Sequence, residues 1–172
     1  MDFRRPLVLG GFLVLCLLFL SAITVAVGTP EPTVTFENQD NETYYVTVYT
    51  VSDEDVAGYL NFEVTTDEGD RRLVTYEDLV WPGEYENVTL VDDGVDTQTF
   101  VVEPGETKHG IVTGWSQGDV TVYISERGPE REHDTSRTIT CESRGQSHSL
   151  TLEESGSGSS STCAGGFGWV FR

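Results

Sequence analysis

The histidine and cysteine residues are the side chains of this sequence with the most specific chemistry. His133, Cys141, His148 and Cys163 supply two imidazoles and two thiols, which are ligand types that hold zinc or copper. The gaps between them are 8, 7 and 15 positions, whereas zinc sites favour close pairs such as C-x₂₋₄-C. We therefore expect no metal and no cofactor. The alternative is a redox or metal-binding protein that uses Cys141, His148 and Cys163.

Carboxylate clusters are the second set of side chains that could bind a ligand. Asp53-Glu54-Asp55 and Asp92-Asp93-Gly94-Val95-Asp96 both lack the D-x-D-x-D-G order of a calcium loop, so we interpret them as solvated surface. The sequence also predicts no nucleophile elbow, H-E-x-x-H helix or phosphate-binding glycine loop. We therefore expect no catalytic residues and no enzyme. A triad whose members meet only in the fold stays open as an alternative.

Two tripeptides fit the acceptor pattern for N-linked sugar, Asn41-Glu42-Thr43 and Asn87-Val88-Thr89. Asn41 lies in a turn predicted from its Asn/Asp-rich surroundings, and Asn87 lies in a predicted strand. The pattern is informative only in an exported chain. Both asparagines are therefore candidates for glycosylation if the domain is exported.

The amino-terminal region predicts export or membrane anchoring. Residues 7–27 contain no charged side chain, and Arg4 and Arg5 precede them. A helix of this length spans the hydrocarbon layer of about 30 Å, and the positive-inside rule leaves Arg4 and Arg5 in the cytoplasm. We expect a cytoplasmic segment (1–6), a transmembrane anchor (7–27) and a proline-containing spacer (28–32), with the remainder outside the cell. A cleaved signal peptide is the alternative, since 24–28 match a cleavage site weakly.

Export would change the chemistry of two of the three cysteines. Cys16 lies inside the apolar run, whereas Cys141 and Cys163 follow it. In an oxidising compartment Cys141 and Cys163 can form a disulfide, which closes a loop of about 22 residues and stabilises by about 3 kcal/mol. We expect this disulfide, with two free thiols as the alternative.

The charge of the chain indicates its surroundings. Asp and Glu number 29 against 10 Lys and Arg, so the formal net charge is −19, and Lys108 is the sole lysine. The negative charges repel one another, and molar salt screens this repulsion within roughly 3 Å. The composition therefore favours a protein adapted to high salt over an ordinary acidic surface protein. Nucleic acid and anionic lipid headgroups are poor partners because like charges repel.

Residues 33–172 read as strands throughout, because apolar residues recur with a period of two between Gly- and Pro-rich turns. The clearest alternation predicts Val120, Val122 and Ile124 inward, with Thr121 and Tyr123 outward. These features predict one extracellular all-β domain, an antiparallel β-sandwich of nine to eleven strands, with a barrel left open. The predicted strands cover residues 33–38, 43–51, 60–64, 72–76, 84–91, 97–103, 108–113, 120–124, 137–141, 147–152 and 167–171.

Two polar segments interrupt this pattern. We predict a loop over 127–134 and a Ser/Gly-rich loop over 155–166. The latter precedes Phe167, Trp169 and Phe171, which share one face at strand spacing. We expect strand 167–171 to return and pair with the domain, and a disordered end is the alternative.

The segment Val34-Thr35-Phe36-Glu37-Asn38-Gln39-Asp40-Asn41, followed by Tyr45-Val46-Thr47-Val48, resembles the opening hairpin of haloarchaeal cupredoxin-like and immunoglobulin-like surface domains. The Pro104-Gly105-Glu106-Thr107 turn and the strand that ends at Ile124 continue the resemblance over about residues 33–127. It implies a β-sandwich. Copper-binding relatives have a histidine where this chain has Tyr44 and Tyr45, so the resemblance implies no copper site.

These observations lead to one functional expectation. The chain is a non-catalytic, membrane-anchored cell-surface domain that binds an envelope protein or glycan, or supports the envelope. Tyr45, Tyr49 and Trp115 are our candidates for an exposed contact patch, because rigid aromatic side chains contribute contact area at low entropy cost.

Overall fold

The fold is a two-sheet β-sandwich, seen in a computed structural model that describes residues 31–79, 81–82, 84–141, 145–154 and 156–163. The leader 7–27 and the predicted strand 167–171 lie outside these residues. No helix within them is long and apolar enough to cross a membrane. In the part of the chain that the structure describes, one short helix, α1 (Glu54–Gly58), and a 3₁₀ turn (Tyr76–Asp78) accompany the strands. The strands are β1 (Thr33–Asn38), β2 (Tyr44–Val51), β3 (Asn61–Thr66), β4 (Arg71–Thr75), β5 (Tyr85–Leu90), β6 (Asp96–Val102), β7 (Thr107–Ile111), β8 (Val120–Arg127), β9 (Glu132–Thr140), β10 (Gln146–Leu152) and β11 (Gly158–Cys163).

The strand order differs from the predicted opening hairpin. One sheet has the order β11-β10-β1-β7 and the other β4-β3-β5-β9-β8-β2-β6, so β1 and β2 belong to different sheets. Nδ2 of the Asn38 side chain donates to the carbonyls of Glu42 (2.8 Å) and Val102 (3.0 Å), which directs the turn from one sheet to the other. The sheets are also not wholly antiparallel, because β1 and β10 run parallel.

The sandwich has two apolar cores, one on each face of β2 and β8. Val120, Val122 and Ile124 pack with β3, β5 and α1, as the alternation predicted. The prediction that Thr121 and Tyr123 face outward is wrong, since both side chains are fully buried. Tyr123 instead packs in the second core, beside Phe36 of the four-stranded sheet. Both faces of β8 are therefore buried. The alternation of apolar and polar residues in the sequence does not reveal this, because the polar residues of β8 predict an exposed face.

Two segments predicted as loops are strands in part. β9 already begins at Glu132, inside the predicted loop 127–134, and His133 and Asp134 are buried. β11 occupies residues of the predicted Ser/Gly loop 155–166 and pairs antiparallel with β10. A serine-rich segment has no alternation of apolar and polar residues from which a strand could be predicted. Here the strand forms by pairing with β10.

Candidate binding groove

The residues of the alternative redox or metal site, Cys141, His148 and Cys163, have structural contacts. Cys141 and Cys163 form the expected disulfide, with their Cα atoms 6.0 Å apart. Both nitrogens of His148 have partners: Nδ1 lies 2.6 Å from the hydroxyl of Tyr123, and Nε2 lies 3.0 Å from Oε1 of Gln146. Two bonded sulfurs and a fully hydrogen-bonded imidazole do not form a metal-ligand set. Among the described residues, no group of three or more His, Cys, Asp or Glu could hold a metal ion.

The hydrogen bonds around His148 define its protonation. Nε2 of Gln146 donates to the carbonyl of Cys141 at 2.7 Å, so Oε1 faces His148. Nε2 of His148 must then carry the hydrogen, and Tyr123 must donate to Nδ1. Burial lowers the pKa of His148 to about 4, which keeps the ring neutral. The chain from Tyr123 to Cys141 is therefore a buried polar link between the two sheets.

The predicted aromatic patch is not an exposed surface. Tyr49 and Trp115 are 2% and 4% exposed, so their assignment as exposed contact residues is wrong. Tyr49 packs against Phe62, and Nε1 of Trp115 donates to the carbonyl of Asp119 at 3.0 Å. Tyr45 is half-buried. Tyr49 therefore belongs to an apolar core of the sandwich, whereas Trp115 is buried in the connection between β7 and β8.

Residues 114–118, Gly-Trp-Ser-Gln-Gly, do match the G-x-S-x-G pattern, so the expectation that the sequence lacks this motif is wrong. The segment nevertheless does not have the structure of a nucleophile elbow. The segment connects strands β7 and β8, whereas a nucleophile elbow joins a strand to a helix. Gly114 has φ of 78°, and the amide of Ser116 donates to Oδ2 of Asp119 at 2.6 Å. These features describe a closed turn.

Both glycosylation candidates are accessible. Asn41 is exposed in the turn between β1 and β2. Asn87 is exposed on β5 and has φ of 52°, and its amide donates to the carbonyl of Arg131 at 3.0 Å. Whether either carries sugar stays a prediction.

A groove lies between the β2–β6 pair and β5, with a cavity volume of about 300 Å³. In the β2–β6 register, Thr47 is opposite Thr99 and Tyr49 is opposite Thr97. Opposite residues share a face of the sheet, so three threonines and one tyrosine form one wall. The lining is Thr47, Tyr49, Val88, Thr89, Leu90, Asp92, Thr97, Thr99 and Arg131.

A buried ion pair positions the arginine of this groove. Glu126, on β8, is 1% exposed and accepts hydrogen bonds from the Val88 amide (2.8 Å) and from Nη2 of Arg131. Desolvation raises the pKa of Glu126, and the Arg131 guanidinium and the Val88 amide oppose this by stabilising its charged form. The guanidinium of Arg131 also lies 4.8 Å from the ring centroid of Tyr45. Glu126 therefore joins β5, β8 and the turn that carries Arg131.

The charge of the groove sets it apart from other clefts. Its lining holds one carboxylate, Asp92, and one guanidinium, Arg131, so the lining itself is formally neutral. The carboxylate of Glu126, which pairs with Arg131 from beneath, lies outside the lining. Asp92 is engaged by Asn61, whose backbone amide donates to it at 2.6 Å. By contrast, four acidic residues line the cleft beside the β3–β4 turn, and three line the cleft beside α1. In a chain of net charge −19, a hydroxyl-lined neutral groove suits a ligand without charge.

The sequence offered little signal for this groove. Thr97 and Thr99 alternate on an edge strand, and Arg131 is a cation in an acidic turn, but both features are common on surfaces. Their juxtaposition depends on β5 and β6 being brought together from opposite parts of one sheet. Of the residues singled out from the sequence, Tyr49 lines the groove, Tyr45 stacks on its arginine, and Asn87 lies beside Val88 and Thr89.

Comparison with known proteins places the chain in a family. No curated protein matches it. The family model described as "Halobacterial Ig domain protein" matches residues 1–172, which agrees with the two-sheet fold and with the resemblance noted from the sequence. The chain therefore belongs to the halobacterial Ig domain protein family.

Proposed function

We propose that this protein is a non-catalytic cell-surface domain, anchored by residues 7–27, whose groove binds an uncharged saccharide of the envelope. The family match, the apolar leader after Arg4 and Arg5, and the disulfide are the support for the location. The observation that carries the binding role is the neutral, hydroxyl-lined groove on an otherwise strongly acidic chain.

The chemistry of the groove favours sugar hydroxyls. Threonine hydroxyls both donate and accept hydrogen bonds, as sugar hydroxyls do. Molar salt screens charges beyond roughly 3 Å, so recognition there must depend on hydrogen bonds and contact area. Val88 and Leu90 add apolar surface opposite the threonines. The volume of about 300 Å³ is at the lower end for ligand pockets, which suits one or two sugar units.

Calorimetric titration of the full-length chain in detergent and molar KCl tests the binding role. The probes are neutral hexose oligosaccharides and the matching uronic acid oligomers. We expect the neutral series to bind, and Thr97→Val with Thr99→Val to weaken binding about tenfold, since each lost hydrogen bond contributes about 0.5–1.5 kcal/mol. Thr107→Val, an exposed threonine of the other sheet, is the control.

Three outcomes contradict the proposal: no binding of neutral sugars, tighter binding of the acids, or equal affinity for the groove variant and the control. An Asn87→Gln variant belongs in the same series, because Asn87 is the sequence neighbour of Val88 in the lining and the variant excludes an attached sugar as a competitor of the probe. The location is tested separately with a membrane-impermeant protease on intact cells. We expect loss of the domain, and full protection would contradict surface exposure.

A further inference from the structure

The groove between the β2–β6 pair and β5 has two chemically different ends. At one end, the connection between β5 and β6 carries Asp92, which lines the groove. Arg131 lies at the other end, because Glu126 accepts hydrogen bonds from both Nη2 of Arg131 and the amide of Val88, four positions before Asp92. A carboxylate only accepts hydrogen bonds and a guanidinium only donates them. The groove therefore runs from an acceptor to a donor.

Strand β2 gives the separation of these two ends. Tyr45 marks the donor end, since its ring centroid lies 4.8 Å from the guanidinium of Arg131. Tyr49 lies four positions further along β2, opposite Thr97 of β6, which follows the connection that carries Asp92. Four strand residues span about 13 Å. One sugar ring cannot contact both ends at this separation, whereas two or three linked rings can.

Asp92 is held in place but keeps acceptor capacity. The backbone amide of Asn61 donates to Oδ2 at 2.6 Å, and Nδ2 of Asn61 lies 3.1 Å from Oδ1 and 3.3 Å from Oδ2. An ionised carboxylate offers about four acceptor sites on its two oxygens, so one asparagine orients Asp92 without saturating it. Two neighbouring sugar hydroxyls supply the O–H donors that such a carboxylate requires.

Arg131 is likewise oriented without being saturated. A guanidinium has five N–H groups, and Glu126 takes one of them from Nη2. The side chain of Arg131 is 36% exposed, whereas that of Glu126 is 1% exposed. Because the buried carboxylate already balances the charge of Arg131, the donor end favours neutral oxygen acceptors rather than anions.

The backbone at the donor end has a conformation that residues other than glycine rarely adopt. Within the described part of the chain, Asn87 and Arg131 are the non-glycine residues with positive φ, at 52° and 58°. They are also bonded to each other, since the amide of Asn87 donates to the carbonyl of Arg131 at 3.0 Å. Backbone strain of this kind persists where surrounding contacts fix it, and it clusters at ligand-binding sites. This observation singles out the Arg131 end independently of the lining.

Resting on the saccharide-binding role proposed above, we propose that the groove binds a linear neutral oligosaccharide of at least two units in one fixed direction. Asp92 accepts hydrogen bonds from two neighbouring free hydroxyls of the unit at its end, and Arg131 donates to oxygen atoms of the unit at the other end. Asp92 is therefore a specificity-determining residue. A unit whose hydroxyls are blocked as methyl ethers has no hydrogen to donate to it, but its oxygens still accept from Arg131.

Trisaccharides with blocked hydroxyls test this direction on the wild-type protein. The probes are a neutral hexose trisaccharide and two derivatives of it, O-methylated on the reducing or on the non-reducing terminal unit. Each is titrated calorimetrically into the full-length chain in detergent and molar KCl. We expect one derivative to bind about tenfold or more weakly than the parent, as loss of hydrogen bonds to a charged group implies, and the other to bind like the parent. Equal affinities of the two derivatives would overturn the proposal.

Asp92→Asn attributes this discrimination to the carboxylate. Asp93→Asn is the matched control, because it makes the same change of charge in the same connection, and Asp93 is exposed and outside the lining. We expect Asp92→Asn to bind the parent about tenfold more weakly and to lose the difference between the derivatives. We expect Asp93→Asn to keep both properties. A difference between the derivatives that persists in Asp92→Asn would overturn the role of Asp92.

Arg131→Lys tests the donor end, because lysine keeps the charge beside Glu126 but lacks the planar fork of donors. We expect all three probes to bind about tenfold more weakly, with the difference between the derivatives retained. Arg137→Lys, at an exposed arginine outside the lining, should bind as the wild type does. Unchanged affinity in Arg131→Lys would overturn the proposed direction.

Failure of this inference differs from failure of the saccharide-binding role. If the parent trisaccharide binds and Thr97→Val with Thr99→Val weakens it, while the two derivatives bind equally, the binding role stands and the fixed direction is wrong. If the parent trisaccharide does not bind, both are wrong.

Discussion

Glu126 and Arg131 form an ion pair beneath the groove, five positions apart in the chain, with the carboxylate 1% exposed and the guanidinium side chain 36% exposed. The pair is asymmetric, because only the carboxylate is fully removed from water. Removal of the arginine would therefore leave a buried charge without its counterion, while removal of the carboxylate leaves a cation that water can reach.

Arg131→Met should destabilise the protein by about 2 kcal/mol, less than a fully buried pair would cost because Arg131 is partly exposed. In the double variant Glu126→Gln with Arg131→Met, part of this loss should be recovered, since glutamine still accepts from the Val88 amide without needing a counterion. Urea denaturation in molar KCl measures the free energy of unfolding of both variants. Additive losses would contradict the coupling.

His148 should make stability depend on pH. Its pKa of about 4 lies below the ordinary value of 6.5, so between these values the unfolded chain binds a proton that the folded protein does not. Stability should therefore fall as the pH is lowered from 6.5 to 4, by on the order of 3 kcal/mol. Denaturation at several pH values, compared with His148→Gln, isolates this contribution. Equal pH dependence in both proteins would contradict a buried neutral histidine.

The Cys141–Cys163 disulfide, with a sequence separation of 22, should stabilise the fold by about 3 kcal/mol through the unfolded chain. Cys141→Ser with Cys163→Ser should lower the free energy of unfolding by that amount and so lower the thermal midpoint, whereas Cys16→Ser should leave both unchanged. Thermal denaturation with and without reductant measures this. A wild-type midpoint that does not respond to reductant would contradict it.

Gly110 should tolerate no side chain. A Cβ atom would lie 2.4 Å from the Phe100 ring, so Gly110→Val should destabilise by about 1–3 kcal/mol. Gly158→Val, at an exposed glycine with no atom within 4 Å of its Cβ position, is the matched control. Adding Phe100→Leu should restore part of the loss if the ring is the obstacle. Chemical denaturation of the four proteins separates these cases.

Local sequence patterns predicted most strands but not their partners. The alternation of Val120, Val122 and Ile124 places one face of β8 correctly, because side-chain period is a property of the strand alone. The burial of Tyr123 depends on His148, which another strand brings to it. The groove likewise depends on β5 facing β6, a long-range arrangement that no local pattern encodes. For the same reason no local pattern reveals that Tyr49 and Trp115 lie in the interior.

Binding of a fluorescent neutral oligosaccharide to intact cells that produce the full-length chain, measured by flow cytometry in molar salt, tests the central claim most directly. The account predicts saturable labelling of cells with wild-type chain or Thr107→Val, and about tenfold weaker labelling with Thr97→Val and Thr99→Val at equal surface amounts. Equal labelling of cells with and without the groove substitutions would contradict the proposed binding role. Labelling that appears only after the cells are lysed would contradict the surface location.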